Sequence, residues 1–259
     1  MCGFTNFLLA CFASLSLMAG ELAPTGTLRA TFLGGNPVQG TVDPKTGAIT
    51  GPVADIVKEW ARQLGMPYAI LPAPNAQGVI DRLKSHAADI GFLAFDEKRA
   101  TEVDFAGSYA LMYNAFVVPA DSPIRNTADA DRAGVRIGAV RGQTQETYLS
   151  GNIKNGQVRV FETMPPQAEL EKLLLSGELQ AFGLNRQRAE TAAAASAKLR
   201  AIPDNFLVVE QALIVEKGDP AKLEQINRFI DGLRASGFIQ ASLDRAKISG
   251  VGVAPARKK

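Results

Sequence analysis

The sequence predicts an α/β protein made of two similar sheet-and-helix units, and three observations carry that expectation. From Thr27 onward, short apolar strands alternate with amphipathic helices. A helix that leads through a polar turn into an apolar strand occurs twice, at Val79–Ser85 and again at Leu170–Ser176. The carboxyl-terminal part offers one strand and two helices, too little to enclose a core of its own. A chain of 259 residues is long enough for two modest domains.

In the first cycle, Leu28–Leu33 reads as a strand ending in the turn Gly34-Gly35-Asn36-Pro37. Pro52–Leu64 places Val53, Ile56, Val57, Trp60, Ala61 and Leu64 on one helical stripe, closed by Gly65, with Trp60 expected in the core. Tyr68–Leu71 is the next strand, Gly78–Leu83 a helix, and Asp89–Phe95 a strand. The second cycle opens with a strand at Val135–Val140 that runs into Gly142-Gln143-Thr144, then a helical stretch at Gln145–Leu149. Val158–Phe161, Gln167–Leu175 and Leu179–Leu184 read as strand, helix and strand. The return segment is a strand at Phe206–Val215 and helices at Pro220–Ala235 and Phe238–Ala246. It is expected to complete the first lobe, so the chain crosses between lobes near Tyr109–Met112 and near Phe206–Gln211. The expected division is 27–110 plus 212–247 for one lobe and 111–211 for the other.

Residues 1–20 read as a signal peptide: Phe4 to Met18 is apolar and nearly uncharged, and small residues follow at Ala19 and Gly20. No Lys or Arg precedes the apolar run, so a buried N-terminal helix stays open as the alternative. Both cysteines, Cys2 and Cys11, fall inside this leader, which leaves the mature chain without a disulfide or a thiolate nucleophile. The one histidine, His86, sits in the polar turn Lys84-Ser85-His86-Ala87 and reads as an exposed turn residue. No metal centre and no cofactor are expected. Net charge is +2 with scattered basic residues, and nucleic-acid motifs are absent, so a nucleic-acid partner is not expected.

Two strand-to-loop junctions carry glycine, Gly34-Gly35 and Gly142. The second lies just ahead of a helical stretch, where backbone N–H groups and the Thr144 hydroxyl suit an anion, although tight turns explain many such loops. Arg99 follows the strand ending at Phe95 and has the reach to grip a carboxylate, while the plain reading of Asp96-Glu97-Lys98-Arg99 is a solvated turn.

The stretch Leu83 to Tyr109, with Ala88-Asp89-Ile90-Gly91-Phe92-Leu93-Ala94, Arg99 and Asp104-Phe105, resembles the family 3 extracellular solute-binding proteins. Ser122-Pro123-Ile124, Asp129 to Gly134, Gly138 to Thr144, Leu175-Ser176-Gly177 and Ala212 to Gly218 fit in the same order, so the resemblance covers essentially the whole mature chain. It implies the type II periplasmic-binding fold, two α/β lobes joined by two crossover strands. It also implies a periplasmic monomer that passes an amino acid or other small solute to an ABC permease, with no catalysis. By the same resemblance Arg99 binds a ligand carboxylate and Thr144 adds donors to it, with Gln143 beside it in the same loop.

Three positions depart from the family pattern. Ala94 stands where a Ser or Thr is usual, Asn185 where an Asp neutralises an ammonium, and Asn36 near a usual aromatic. A buried ammonium without a counter-charge is costly. Either Glu210 supplies the missing charge, or the ligand is a carboxylate or other polar solute without an ammonium. The expected ligand-binding set is therefore Arg99, Thr144, Gln143, Asn185, Ala94, Phe92, Asn36 and Glu210. Two alternatives remain: a periplasmic enzyme similar to cyclohexadienyl dehydratases, with Glu210 as its acid, and a ligand-sensing module for a membrane partner.

Overall fold

The computed structural model describes residues 22–36 and 38–256. The signal-peptide expectation falls outside that range. The described chain divides into two compact units. Unit 1 runs to Leu111 and takes up Glu210–Ile248 and the stretch from Gly252, while unit 2 holds Met112–Val209 and Ser249–Val251.

Unit 1 begins with β1 (Leu28–Leu33), the short antiparallel pair β2 (Thr41–Val42) and β3 (Ile49–Thr50), and helix α1 (Pro52–Leu64). Pro52 opens α1, where its missing N–H is no loss, and Gly65 closes it with φ +64°, donating its N–H back to the last turn. Trp60 is buried and stacks on Phe229 with ring centroids 4.3 Å apart, so it belongs to the core as expected. Next come β4 (Tyr68–Ala73), α2 (Ala76–Lys84), β5 (Ile90–Ala94) and the one-turn α3 (Glu97–Ala100). Asn75 caps α2 by accepting the Gly78 N–H at 2.8 Å. A single 17-residue strand, β6 (Val103–Pro119), then carries the chain into unit 2.

Unit 2 contains β7 (Arg136–Val140), α4 (Thr144–Asn152), β8 (Gln157–Phe161), α5 (Gln167–Leu175), β9 (Ala181–Asn185), α6 (Arg186–Ala194) and β10 (Leu199–Ala201). Its sheet order is β6-β9-β7-β8, with β7 parallel to both neighbours and β9 antiparallel to β6. Gly138 has no side chain because the Phe182 ring occupies that space, 2.3 Å from where a Cβ would stand. Leu170, Leu173, Leu174, Leu179 and Phe182 close one side of this sheet, and Phe116, Ile137, Ala139, Leu149 and Ile202 the other.

The return strand β11 (Leu207–Glu216) leads back to unit 1, followed by α7 (Pro220–Ala235), α8 (Phe238–Ala246) and β12 (Val251–Val253), which pairs with β6. In unit 1 the sheet order is β4-β1-β5-β11-β6; β1 is parallel to β4 and β5, and β11 is antiparallel to β5. Elements at the strand starts fix this register. Asp89, 4% exposed, accepts the Arg29 backbone N–H at 2.8 Å and both guanidinium arms at 3.1 and 2.6 Å. The Asp89 N–H in turn donates to the Arg29 carbonyl, so β1 and the entry to β5 are locked at one level.

Several elements exceed the sequence expectation. The α4 helix extends from Thr144 to Asn152 rather than Gln145 to Leu149, and β9 is shifted to Ala181–Asn185. The long β6 breaks its alternation with Gly107, Ser108 and Asn114, and α6 buries only Ala189 and Ala192, too small to leave a stripe. His86 lies in a turn with φ +56°, largely exposed and 3.1 Å from Glu216.

Asp89→Ala removes the acceptor of three contacts, from the Arg29 backbone N–H, Nε and Nη2, and leaves that guanidinium without its carboxylate at the first β1–β5 rung. We expect it to cost roughly 2–4 kcal/mol, read as a lowered urea midpoint with an unchanged circular-dichroism spectrum.

Candidate functional site

In unit 1 the carboxyl ends of β1 and β5 and the start of β11 are tied together by side chains. The β1 end runs into a tight turn in which Asn36 accepts the Val38 N–H through its side chain and the Gln39 and Gly40 N–H groups through its carbonyl. Asn36 is thus a half-buried turn-former. Gln39, which is fully buried, accepts the Leu33 N–H at 3.0 Å and donates through Nε2 to Gln211 Oε1 at 3.1 Å. Gln211 lies directly opposite Ala94 in the β5–β11 ladder. Among the described residues its own Nε2, fully buried, has no partner.

Beyond Ala94 the chain forms α3 because Asp96 caps it, accepting the N–H groups of Lys98 and Arg99 at 3.0 and 3.1 Å. This is the stretch whose plain reading was a solvated turn. Arg99 folds back and donates to the Ala94 carbonyl at 2.9 Å. It is half-buried, and among the described residues no carboxylate lies within ion-pair distance of it. Desolvation pulls its pKa below the usual arginine value, with only the charge of Asp96 opposing. The result is a partly desolvated cation held by a neutral carbonyl.

Phe92 is fully buried and meets Tyr109 edge-on at 5.8 Å, so it forms part of the floor rather than a surface. Glu210 is exposed, accepts a short hydrogen bond from the Ser108 hydroxyl, and offers its carbonyl to the Phe95 N–H at 2.8 Å. Phe95 is 47% exposed and leans edge-on against Phe105. Sequence reasoning did not single out Phe95, Gln39 or Gln211; a buried glutamine pair leaves no periodic signal.

Unit 2 carries the remaining expected residues. Gly142 turns with φ +73°, the Gln143 N–H donates to the Val140 carbonyl, and α4 starts at Thr144. Gln143 and Thr144 are half-buried at the positive end of that helix. Beneath them, Gln145 donates to Asn114 Oδ1 at 2.7 Å, and Asn114, fully buried, donates to the carbonyls of Met112 and Leu207. Asn185 pairs with Asn114 across β6 and β9. Its side-chain oxygen caps α6 by accepting the Arg188 N–H at 2.9 Å, so its acceptor is spent on the fold and its Nδ2 has no partner among the described residues. Arg141 is exposed and paired with Glu162.

Among the described residues, no group of three His, Cys, Asp or Glu side chains could hold a metal ion, and no helix is long and apolar enough to cross a membrane.

These features define an α/β binding protein of the type II periplasmic-binding fold. The model of the bacterial extracellular solute-binding proteins, family 3, matches residues 30–246, and the chain belongs to that family. The L-cystine-binding protein TcyJ of Escherichia coli K12 is 24% identical over 226 residues, which is 82% of this chain and 81% of TcyJ. Among solved structures, the amino-acid ABC transporter substrate-binding protein AbpA of Streptococcus pneumoniae, bound to L-arginine, superposes with a TM-score of 0.64 at 20% identity, covering 87% of this chain and 96% of AbpA. An ancestral amino-acid-binding protein, a precursor of cyclohexadienyl dehydratase, gives 0.66 at 23% identity, covering 89% of this chain and 98% of that one. At these identities the structural likeness speaks for the fold.

The cap at Asn185 can be tested by itself. Asn185→Ala is expected to lower stability by about 1 kcal/mol, and Asn185→Asp to keep it, because Asn and Asp cap helices equally well. Thermal melts of the two variants check both statements.

Proposed function

We propose that this protein is a periplasmic solute-binding protein that captures a small anionic or polar solute and delivers it to an ABC permease of the inner membrane, without turning it over. Export would rest on the leader at residues 1–20. The observation that carries the reading is Arg99: a half-buried cation that desolvation has weakened, fixed by a backbone carbonyl and unpaired with any acid of the described chain. A guanidinium held in that state gains a charge-assisted, bidentate pair when an anion arrives, and its own orientation needs no rearrangement.

In this reading Arg99 is the anion grip, with Ala94 and the Asn36 turn beside it and Phe92 beneath them. Within unit 2, Gln143 and Thr144 stand at the start of α4, and Asn185 caps α6 with its oxygen. Tyr109 and Phe92 make the floor rigid, which favours a fixed recognition surface. Glu210 is exposed and already engaged by the Ser108 hydroxyl, an arrangement that does not single it out as a general acid. That favours binding over dehydration chemistry.

Arg99→Ala is expected to abolish binding by removing roughly 2 kcal/mol or more of interaction, and Arg99→Lys to restore only part of it because one ammonium cannot match the fork. Calorimetric titration with whichever carboxylate or amino acid raises the melting temperature of the wild type reads the effect. Unchanged affinity in Arg99→Ala would move the anion grip elsewhere.

A further inference from the structure

Two fully buried glutamines of unit 1 are joined by a hydrogen bond that does little for stability. Gln39 Nε2 donates to Gln211 Oε1 at 3.1 Å, and Gln39 Oε1 accepts the Leu33 N–H at 3.0 Å. Gln211 Nε2 has no partner among the described residues. A buried hydrogen bond returns little net stability, and an unmade one in the same place takes that gain away. The residues that follow Gln211 on β11, from Ala212 to Val215, are apolar and buried. An apolar side chain at position 211 would serve the packing at least as well.

What the bridge does hold is the end of β5. That strand lies between β1 and β11 in the sheet, and the bridge runs from the last residue of β1 to β11. Gln211 stands directly opposite Ala94, so their side chains share a face. One residue along, the Phe95 N–H donates to the Glu210 carbonyl at 2.8 Å. That N–H and the Ala94 carbonyl belong to one planar peptide group and point in opposite directions. Once β11 holds the N–H, the carbonyl is aimed away from β11, and there it accepts Arg99 Nη1 at 2.9 Å. Asp96 sets the main chain of Arg99 by capping α3. The direction of the guanidinium therefore depends on where the Glu210–Gln211 stretch lies, and the Gln39 amide fixes that stretch against β1.

We infer that Gln39, Gln211 and the backbone carbonyl of Glu210 are positioning groups for Arg99: they hold the Ala94–Phe95 peptide in the plane that orients the guanidinium, and the fold keeps the buried amides at a cost in stability. None of the three has to touch a solute to do this. The consequence for binding rests on the reading of Arg99 as the anion grip. A guanidinium that is already oriented loses less conformational freedom when an anion pairs with it.

The test reads Arg99 directly and needs no solute: nitrogen NMR relaxation of the arginine Nε–H groups in the purified full chain, with the Arg99 signal assigned by its loss in Arg99→Lys. In the wild type the Arg99 group is expected to be rigid, and in Gln211→Met, which removes the bridge, its order parameter is expected to fall below about 0.6. The melting temperature of Gln211→Met is expected to move by no more than about 4 °C, since one unpaired buried donor replaces another. Ile214→Val, on the same strand, lowers the melting temperature by about 2–4 °C and is expected to leave Arg99 as rigid as in the wild type. An Arg99 group already mobile in the wild type overturns the inference, as does an unmoved signal in Gln211→Met or an equal loss of order in Ile214→Val. If Gln211→Met does not fold, Gln211→Leu is read in its place; failure of both to fold overturns the inference too, because the bridge would then serve stability. Binding that survives Arg99→Ala would sink the proposed function and leave this inference standing, whereas an Arg99 signal unmoved in Gln211→Met does the reverse.

Discussion

A side-chain amide that leaves water loses free energy unless its oxygen and N–H groups find partners, and in unit 1 one such pairing links the pieces that matter. Gln39 sits below the turn that follows β1, and Gln211 sits at the start of the return part of β11, 172 residues away. Their hydrogen bond joins the turn carrying Asn36 to a strand that pairs with the end of β5. Through the β5 end it is continuous with the carbonyl of Ala94, and that carbonyl holds Arg99. A loop, a strand end, a one-turn helix and a returning strand therefore share one level because two glutamines cannot be buried apart.

The same chain of contacts explains why Arg99 is poised. A salt bridge with a neighbouring acid would have fixed the guanidinium, but it would also have neutralised it. The fold uses a carbonyl instead, and Asp96, the nearest acid, spends its side-chain oxygen on the N-cap of α3. The cation is then oriented without being compensated. Some desolvation cost is accepted in the free protein, and an arriving anion relieves it.

The fold was largely readable because its signals are periodic. Strands Leu28–Leu33, Arg136–Val140 and Gln157–Phe161 and the helices Pro52–Leu64, Gln167–Leu175 and Pro220–Ala235 announce themselves by apolar spacing and glycine ends. The elements that escaped, β6 across its full length and α6, carry polar or alanine-only faces in place of a stripe. In the candidate site, the sequence pointed to Arg99 by its position just past a strand end, and the structure holds it half-buried on the Ala94 carbonyl. Gln39 and Gln211 were not legible: one lies in an irregular turn and the other in an apolar strand, and their pairing is a fact of three dimensions. Phe92 is a related case, since a strand residue beside a candidate loop can face the floor as readily as the surface, and here it packs on Tyr109.

Asn185 shows how scaffold and specificity can be separated at one position. Capping α6 needs one acceptor oxygen, and either an amide or a carboxylate provides it at similar stability. What differs is the atom left over: a carboxylate would keep a second, charged acceptor, whereas the amide keeps a donor. The fold is indifferent to that choice, and a ligand is not. A change of ligand class can therefore be made at such a cap without disturbing β9 or α6, and it takes effect only if the remaining polar groups agree with it.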